Sequence, residues 1–252
     1  MQTPSSRSRV NLLASHVRGF SLVEIAVVLV IISVLITMVA VPLATQVEQR
    51  RIEDTQKLLE NAKDALYGFA AANGRLPCPA ISTSAGRESP IGGGACTQLV
   101  GFLPAVTLGI MPVDSLGFAN DAWADGTLAR RIGFAVSNSN GFALTTTDGV
   151  KTATMALVAA STTHLYVCGT GLAAAPPTTD CGATVITLAD KAPAVLFSLG
   201  KNNATNSFDE TNNQNGDRVF SSGTPNATFD DSVTWMSLNT LFDRMLKAGK
   251  LP

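Results

Sequence analysis

Histidine is scarce: the 252 residues hold two, His16 and His164, beside four cysteines, two tryptophans and two tyrosines. One histidine beyond the N-terminal segment cannot build most hydrolytic or metal centres, so His164 is expected to pack in the core or at the surface. Gly-x-Ser-x-Gly, Gly-x-x-x-x-Gly-Lys and His-Glu-x-x-His are all missing. The run IGGGAC (91–96) lacks a flanking strand-to-helix pattern and reads as a flexible or disulfide-tied loop. Trp123 and Trp235 are expected to anchor the core or its loops. Charge is sparse as well, at 15% of residues and a net −1, against 46% hydrophobic residues; the chain is neither disordered nor a general nucleic-acid binder. Zinc is disfavoured, because no two cysteines stand two to four residues apart. The even cysteine count suits two disulfides. Three pairings are open, and Cys78–Cys96 with Cys168–Cys181 is favoured because each closes a loop rich in Gly, Pro, Ser or Thr.

Acidic residues are absent before Glu24, whereas Arg7, Arg9 and Arg18 fall there. No charge appears from Ile25 to Val41, and Ser33 and Thr37 are the only polar side chains in that run. It would make about 26 Å of helix, and with Phe20–Val23 and Leu43–Ala44 it is expected to span a membrane. The arginines keep the N-terminus inside and send the remainder out. A carboxylate at the rim of such a run needs a partner, since a charge at a helix centre costs about 3 kcal/mol on an insertion scale. A cleaved secretory signal fits poorly: its apolar core is shorter and ends at a small-x-small site. A plain signal anchor remains as the simple reading.

The order Arg18-Gly19-Phe20-Ser21-Leu22-Val23-Glu24, followed by the apolar run and Pro42, resembles the class III signal of type IV pilins and type II secretion pseudopilins. Pro42 falls one position later than is usual. The resemblance implies a leader peptide (1–19), cut by a prepilin peptidase between Gly19 and Phe20, with N-methylation of Phe20. It gives Glu24 a partner, the Phe20 ammonium of a neighbouring subunit, so that the pair sets the axial stagger of bundled helices. It also implies an inner-membrane assembly platform and other pilin or pseudopilin subunits as partners. The strings NGRLPCPA, GFLPAVTLGI, DAWADGTLARRIGFAVS, AVLFSLGKN and DDSVTWMSLNTLFDRMLKAGKLP are similar to parts of proteobacterial pilin-like proteins. DAWADG is similar to a pseudopilin Asp-x-Trp-Gly turn, with Ala124 where glycine is usual.

Past the apolar segment (20–47), residues 48–74 repeat Ile52, Leu59 and Leu66 at seven, with Thr55, Ala62 and Phe69 offset by three. This predicts the amphipathic half of one long helix, bent at Pro42 and closed by Gly74 ahead of Pro77 and Pro79. The head (75–252) shows strand patterns at 130–137, 141–147, 163–169 and 193–200, weaker ones at 152–161 and 183–190, and a helix capped by Ser237 and closed by Gly249. The expected fold is α+β: a long N-terminal helix whose second half lies on an antiparallel sheet.

The segment FDETNNQNGDRVF concentrates oxygen donors: Asp209, Glu210, Asn212, Asn213, Asn215 and Asp217. Some pseudopilins hold calcium in a late loop, and Asp209, Glu210, Asn213, Asn215 and Asp217 are the set a calcium ion would use here. The EF-hand spacing fails, and a solvated polar loop is the favoured state; Asp230 and Asp231 either join the set or simply precede the last strand. No other cofactor is expected. The sequence thus reads as a non-enzymatic minor pilin or pseudopilin, held in the inner membrane with its head in the periplasm and then built into a pilus or pseudopilus. The rival is a periplasmic binding protein or enzyme that uses the helix only as a tether.

Overall fold

A computed structural model describes residues 19–124, 130–174, 178–203 and 207–251; within these, the side chains of 38–44 are not described. The chain divides into two compact units, Met1–Glu48 and Gln49–Pro252. Helix α1 (Leu22–Asn73) contributes to both. The bend expected at Pro42 falls on the stretch without described side chains. Among the described residues no helix is long and apolar enough to cross a membrane; the expected span includes 38–44.

The second unit is α+β, in the order β1 (Val100–Phe102), α2 (Ala105–Leu108), β2 (Gly133–Val136), α3 (Ser139–Phe142), α4 (Gly149–Ala153), α5 (Met155–Ala160), β3 (Leu165–Gly169), β4 (Thr187–Ala192), β5 (Ala194–Ser198), α6 (Phe208–Gln214), β6 (Val219–Ser222), β7 (Ser232–Trp235) and α7 (Leu238–Lys247). Thr55, Leu59, Ala62, Leu66 and Ala70 bury one stripe of α1; four of them belong to the repeat expected from the sequence, whereas Ile52 and Phe69 are only half-buried and Ala70 takes the place expected for Phe69. Gly74, at φ +69°, ends the helix by donating its N–H to the Ala70 carbonyl at 2.8 Å.

That stripe packs with Phe134, Val136, Ala194 and Leu196 on one face of a four-stranded antiparallel sheet ordered β1-β2-β5-β7. The opposite face presents Ala135, Val195 and Phe197 to Leu165, Val167 and Phe220 of a second sheet. This second sheet, ordered β4-β3-β6, is mixed: β3 pairs antiparallel with β4 and parallel with β6. The second sheet was not anticipated. Its consequence is that β2 and β5 are buried along their whole length, so their sequences run as apolar blocks and give no inside–outside alternation. Gly133 is required there, because a Cβ would meet the Phe197 ring.

Two stretches read as strands are helical or turned. Residues 141–147 form the end of α3 and a turn, with Asn140 and Gly141 both at positive φ. Residues 152–161 form the end of α4 and all of α5, broken at Thr154 (φ +68°). The alanine-rich run MALVAA has the helix preference that the apolar pattern masks. Strand β4 covers the second half of the expected stretch 183–190 and runs two residues past it. Helix α7 carries the expected cap, Ser237 Oγ accepting from Thr240 N; of the five apolar residues expected on its inner face, Leu238, Leu241, Phe242 and Met245 are buried, whereas Leu246 is exposed. Both favoured disulfides are present, Cys78–Cys96 and Cys168–Cys181. Closing chain separations of 18 and 13 residues contributes about 3 kcal/mol each by loop entropy.

Candidate functional site

Gly19, Phe20 and Ser21 are non-helical and exposed, and the helix starts at Leu22. The bond between Gly19 and Phe20 therefore lies in exposed, non-helical backbone. A Cβ on Gly19 would meet nothing within 4 Å, and its φ lies outside the left-handed range. Among the described residues nothing requires glycine at this position.

Ser21 and Glu24 cap the helix reciprocally. Ser21 Oγ accepts from Val23 N at 3.3 Å, and Glu24 Oε2 accepts from Ser21 N at 3.4 Å. Ser-x-x-Glu is the capping-box pattern, and it was legible in the sequence beside the reading that gave Glu24 an external partner. The bond is long and exposed, and among the described residues Glu24 makes no ion pair. Beyond it, Leu22, Val23, Ile25 and the following aliphatic side chains up to Ile36 are exposed together. Ser33 Oγ donates to Val30 O and Thr37 Oγ1 to Ser33 O, each at 2.8 Å. Both hydroxyls are thus satisfied within their own helix, leaving a continuous apolar surface for a neighbour or for lipid. An exposed apolar surface of this extent marks an interaction site.

The head's candidates sort differently. His164 is buried, as expected: Nε2 lies 2.7 Å from Val158 O and Nδ1 lies 3.2 Å from Ser137 Oγ. Burial pushes its pKa down; Lys191 adds to the fall, while the Val158 carbonyl and Asp190 oppose it. The unfolded chain therefore takes up a proton more readily than the folded one. Stability supplied by neutral His164 is full above about pH 6.5 and is lost as pH falls from there through the lower folded value. Urea midpoints of the wild-type chain should fall across that window more steeply than those of His164→Gln, and parallel curves would refute this.

Trp123 is buried in the turn after Asp121, under the Arg51 guanidinium at 5.5 Å from the ring centroid. Asp121 Oδ1 accepts from Trp123 N at 2.9 Å, and Oδ2 accepts from Ser198 Oγ. Ala122 N donates to Thr55 Oγ1 at 3.2 Å, which fixes the turn to α1. The DAWADG string thus serves helix-to-turn docking; its last two residues fall outside those described.

Residues 208–217 are not a solvated loop. Most of the segment is α6, with Ser207 Oγ accepting from Glu210 N, and Asp209, Glu210, Asn212 and Asn213 buried. The five residues of the expected calcium set do not converge. Asp209 accepts from the N–H groups of Gly171 and Leu172. Asn215 and Asp217 bond each other, and Asp217 Oδ1 accepts from Val219 N. Asn213 bridges the backbone of Ser221 to Asp231. Helical geometry and local capping turn these donors in different directions. Glu210 alone of the five joins an acidic cluster, with Asp230 and Asp231, whose ligand atoms lie within 4.8 Å of one another. Burial pushes Asp231 up to about 7, with Glu210 and Asp230 adding to the rise and Asn213 opposing it. Asp230 is raised by burial and by Glu210, against the backbone N–H groups of Lys201 and Asn202 and the charge of Arg130.

Residues 14–40 match the prokaryotic N-terminal methylation motif, the prepilin signal of type IV pilins and pseudopilins. No curated protein and no solved structure matches the chain.

Proposed function

We propose that this chain is a structural subunit, a minor pilin or pseudopilin, cut after Gly19 by a prepilin peptidase, methylated on Phe20 and built with related subunits into a type IV pilus or type II secretion pseudopilus. The observation that carries this reading is the methylation-motif match at 14–40, which includes the exposed, non-helical Gly19–Phe20 stretch. The uninterrupted apolar surface that follows supports it. Before assembly that surface sits in the inner membrane; afterwards it bundles with the helices of neighbours. The driving term is apolar burial, and Glu24 selects the stagger by meeting a neighbour's ammonium.

The head supports a minor rather than a bulk subunit. It spans 75–252, with two sheets and two disulfides, and is large for a repeating shaft unit. A tip or priming position suits it. In a host lacking prepilin peptidase, the chain should keep its leader and vanish from sheared surface filaments while persisting in the membrane fraction. Leader removal and filament entry unaffected by loss of the peptidase would overturn the assignment. A chain that keeps its leader in a wild-type host and remains in the membrane is the tethered binding protein or enzyme instead.

A further inference from the structure

The connection between β6 and β7 contains the turn Asn226-Ala227-Thr228-Phe229. Phe229 is 1% exposed and anchors it, and Asn226 N donates to Phe229 O at 2.7 Å to close it. Asn226, Ala227 and Thr228 stand exposed. Asn-x-Thr, with any residue but proline in the middle, is an acceptor triplet for a glycan on asparagine, and Ala227 meets that condition. The turn sorts the two ends of the Asn226 amide. Oδ1 accepts from Thr228 N at 2.9 Å and from Thr228 Oγ1 at 3.0 Å. A backbone N–H can only donate, so the atom facing it is the oxygen, and Nδ2 is the atom left outside. Among the described residues Nδ2 makes no hydrogen bond. Two other exposed asparagines differ on both counts. Asn73 Nδ2 donates to Phe69 O and Asn215 Nδ2 to Asp217 Oδ2, and neither begins a triplet. Asn203-Ala204-Thr205 is a second triplet, but Thr205 lies outside the described residues.

We infer that Asn226 is a glycosylation site, accepting a sugar from a glycosyl diphosphate donor. Nδ2 attacks the anomeric carbon. The N–C bond forms as the C–O bond to diphosphate breaks, the diphosphate leaves with the electron pair, and one amide proton passes to a base on the transferase. Nothing is oxidised or reduced. An amide nitrogen is a weak nucleophile, because its lone pair is shared with the carbonyl, so activation belongs to the transferase. The chain's part is presentation: the turn pins the carboxamide oxygen, offers the nitrogen to solvent and holds the Thr228 hydroxyl beside it. The diphosphate is carried on a lipid or on a nucleotide. Access to a lipid-carried donor outside the cytoplasm rests on the reading that exports the head.

The test is a tryptic peptide map, by mass spectrometry, of the full chain purified from its host. Cleavage after Lys201, Arg218 and Arg244 puts the two triplets on separate peptides, with Asn226 on 219–244. That peptide should carry a sugar mass localised to Asn226. Asn226→Gln and Thr228→Ala should lose it, and Thr228→Ser should keep it. All three changes fall on an exposed turn, so thermal midpoints should match that of the wild-type chain. Unmodified full chain in detergent, incubated with host membranes or with soluble extract and nucleotide sugars, separates the two carriers. Labelling of Asn226 by one of these supports the site, and labelling by neither overturns it. A bare Asn226 in the wild-type chain, a sugar on a serine or threonine instead, or a sugar that persists in Thr228→Ala would also overturn it. The same map reads the N-terminus. A chain that begins at Phe20 with a bare Asn226 removes the site and leaves the assembly reading standing, whereas a sugar on Asn226 beside an uncut leader does the reverse.

Discussion

Glu24→Ala is expected to be cleaved and methylated normally yet to enter filaments at least about tenfold less than the wild-type chain. The variant loses little as an isolated molecule. Glu24 is exposed, and among the described residues its side chain bonds only Ser21 N, at 3.4 Å, a capping interaction worth about 1 kcal/mol or less. The expected effect follows from the proposed bundle, in which the Phe20 ammonium that cleavage would create would need an opposite charge in a medium of low dielectric. At 4 Å and an effective dielectric of 20 the attraction is about 4 kcal/mol, offset in part by desolvation of both groups. Even a residue of 1.4 kcal/mol in that balance is a tenfold change in assembly. The apolar surface, satisfied internally at Ser33 and Thr37, supplies adhesion without register. Quantitative blotting of sheared filaments from a strain carrying the variant measures the effect. Glu24→Asp should recover part of the loss, and wild-type entry of Glu24→Ala would refute the charge-pair mechanism.

Glu88→Ala is expected to cost about 3–5 kcal/mol of head stability. Arg75 and Glu88, 6% and 5% exposed, form a two-pronged ion pair with Nη1–Oε2 at 2.7 Å and Nη2–Oε1 at 2.8 Å. The same carboxylate accepts from Cys78 N at 3.3 Å and Gly92 N at 3.1 Å, which organises the loop that the Cys78–Cys96 disulfide closes. Arg75 also donates to Leu76 O and stacks 5.1 Å above the Phe69 ring of α1. Removing Glu88 strands a buried guanidinium and two backbone N–H groups. The double variant Arg75→Met/Glu88→Leu should recover part of the loss, since no buried charge remains, and the residue should report the two N–H groups left without an acceptor. Urea unfolding of the full chain in detergent gives the values; a single-variant loss below about 1 kcal/mol would show that the pair does not hold the loop.

What the sequence disclosed follows how locally each feature is encoded. The prepilin signal is one contiguous string, so Gly19, Phe20 and Glu24 could be picked out together. Helix α7 carries its own cap at Ser237 and its own apolar face, and the disulfides close short loops. The second sheet depends on a parallel pairing between β3 and β6, across many residues and another sheet's strand, which no local pattern announces. For the same reason the head's acids were grouped along the chain at 209–217, although folding brings Glu210 to Asp230 and Asp231. The Asn-Gly and Thr154 positions with positive φ redirected two stretches whose composition otherwise resembled strands. Arg75 and Glu88 gave no signal at all, since a charged pair thirteen residues apart in a loop looks solvated until the fold buries it.

The most direct measurement is intact and N-terminal mass analysis of the mature chain purified from its host. A chain beginning at Phe20 and carrying a single added methyl group is the expected result. A chain that still carries residues 1–19, or that begins at any other residue, would contradict processing at Gly19 and with it the assembly function.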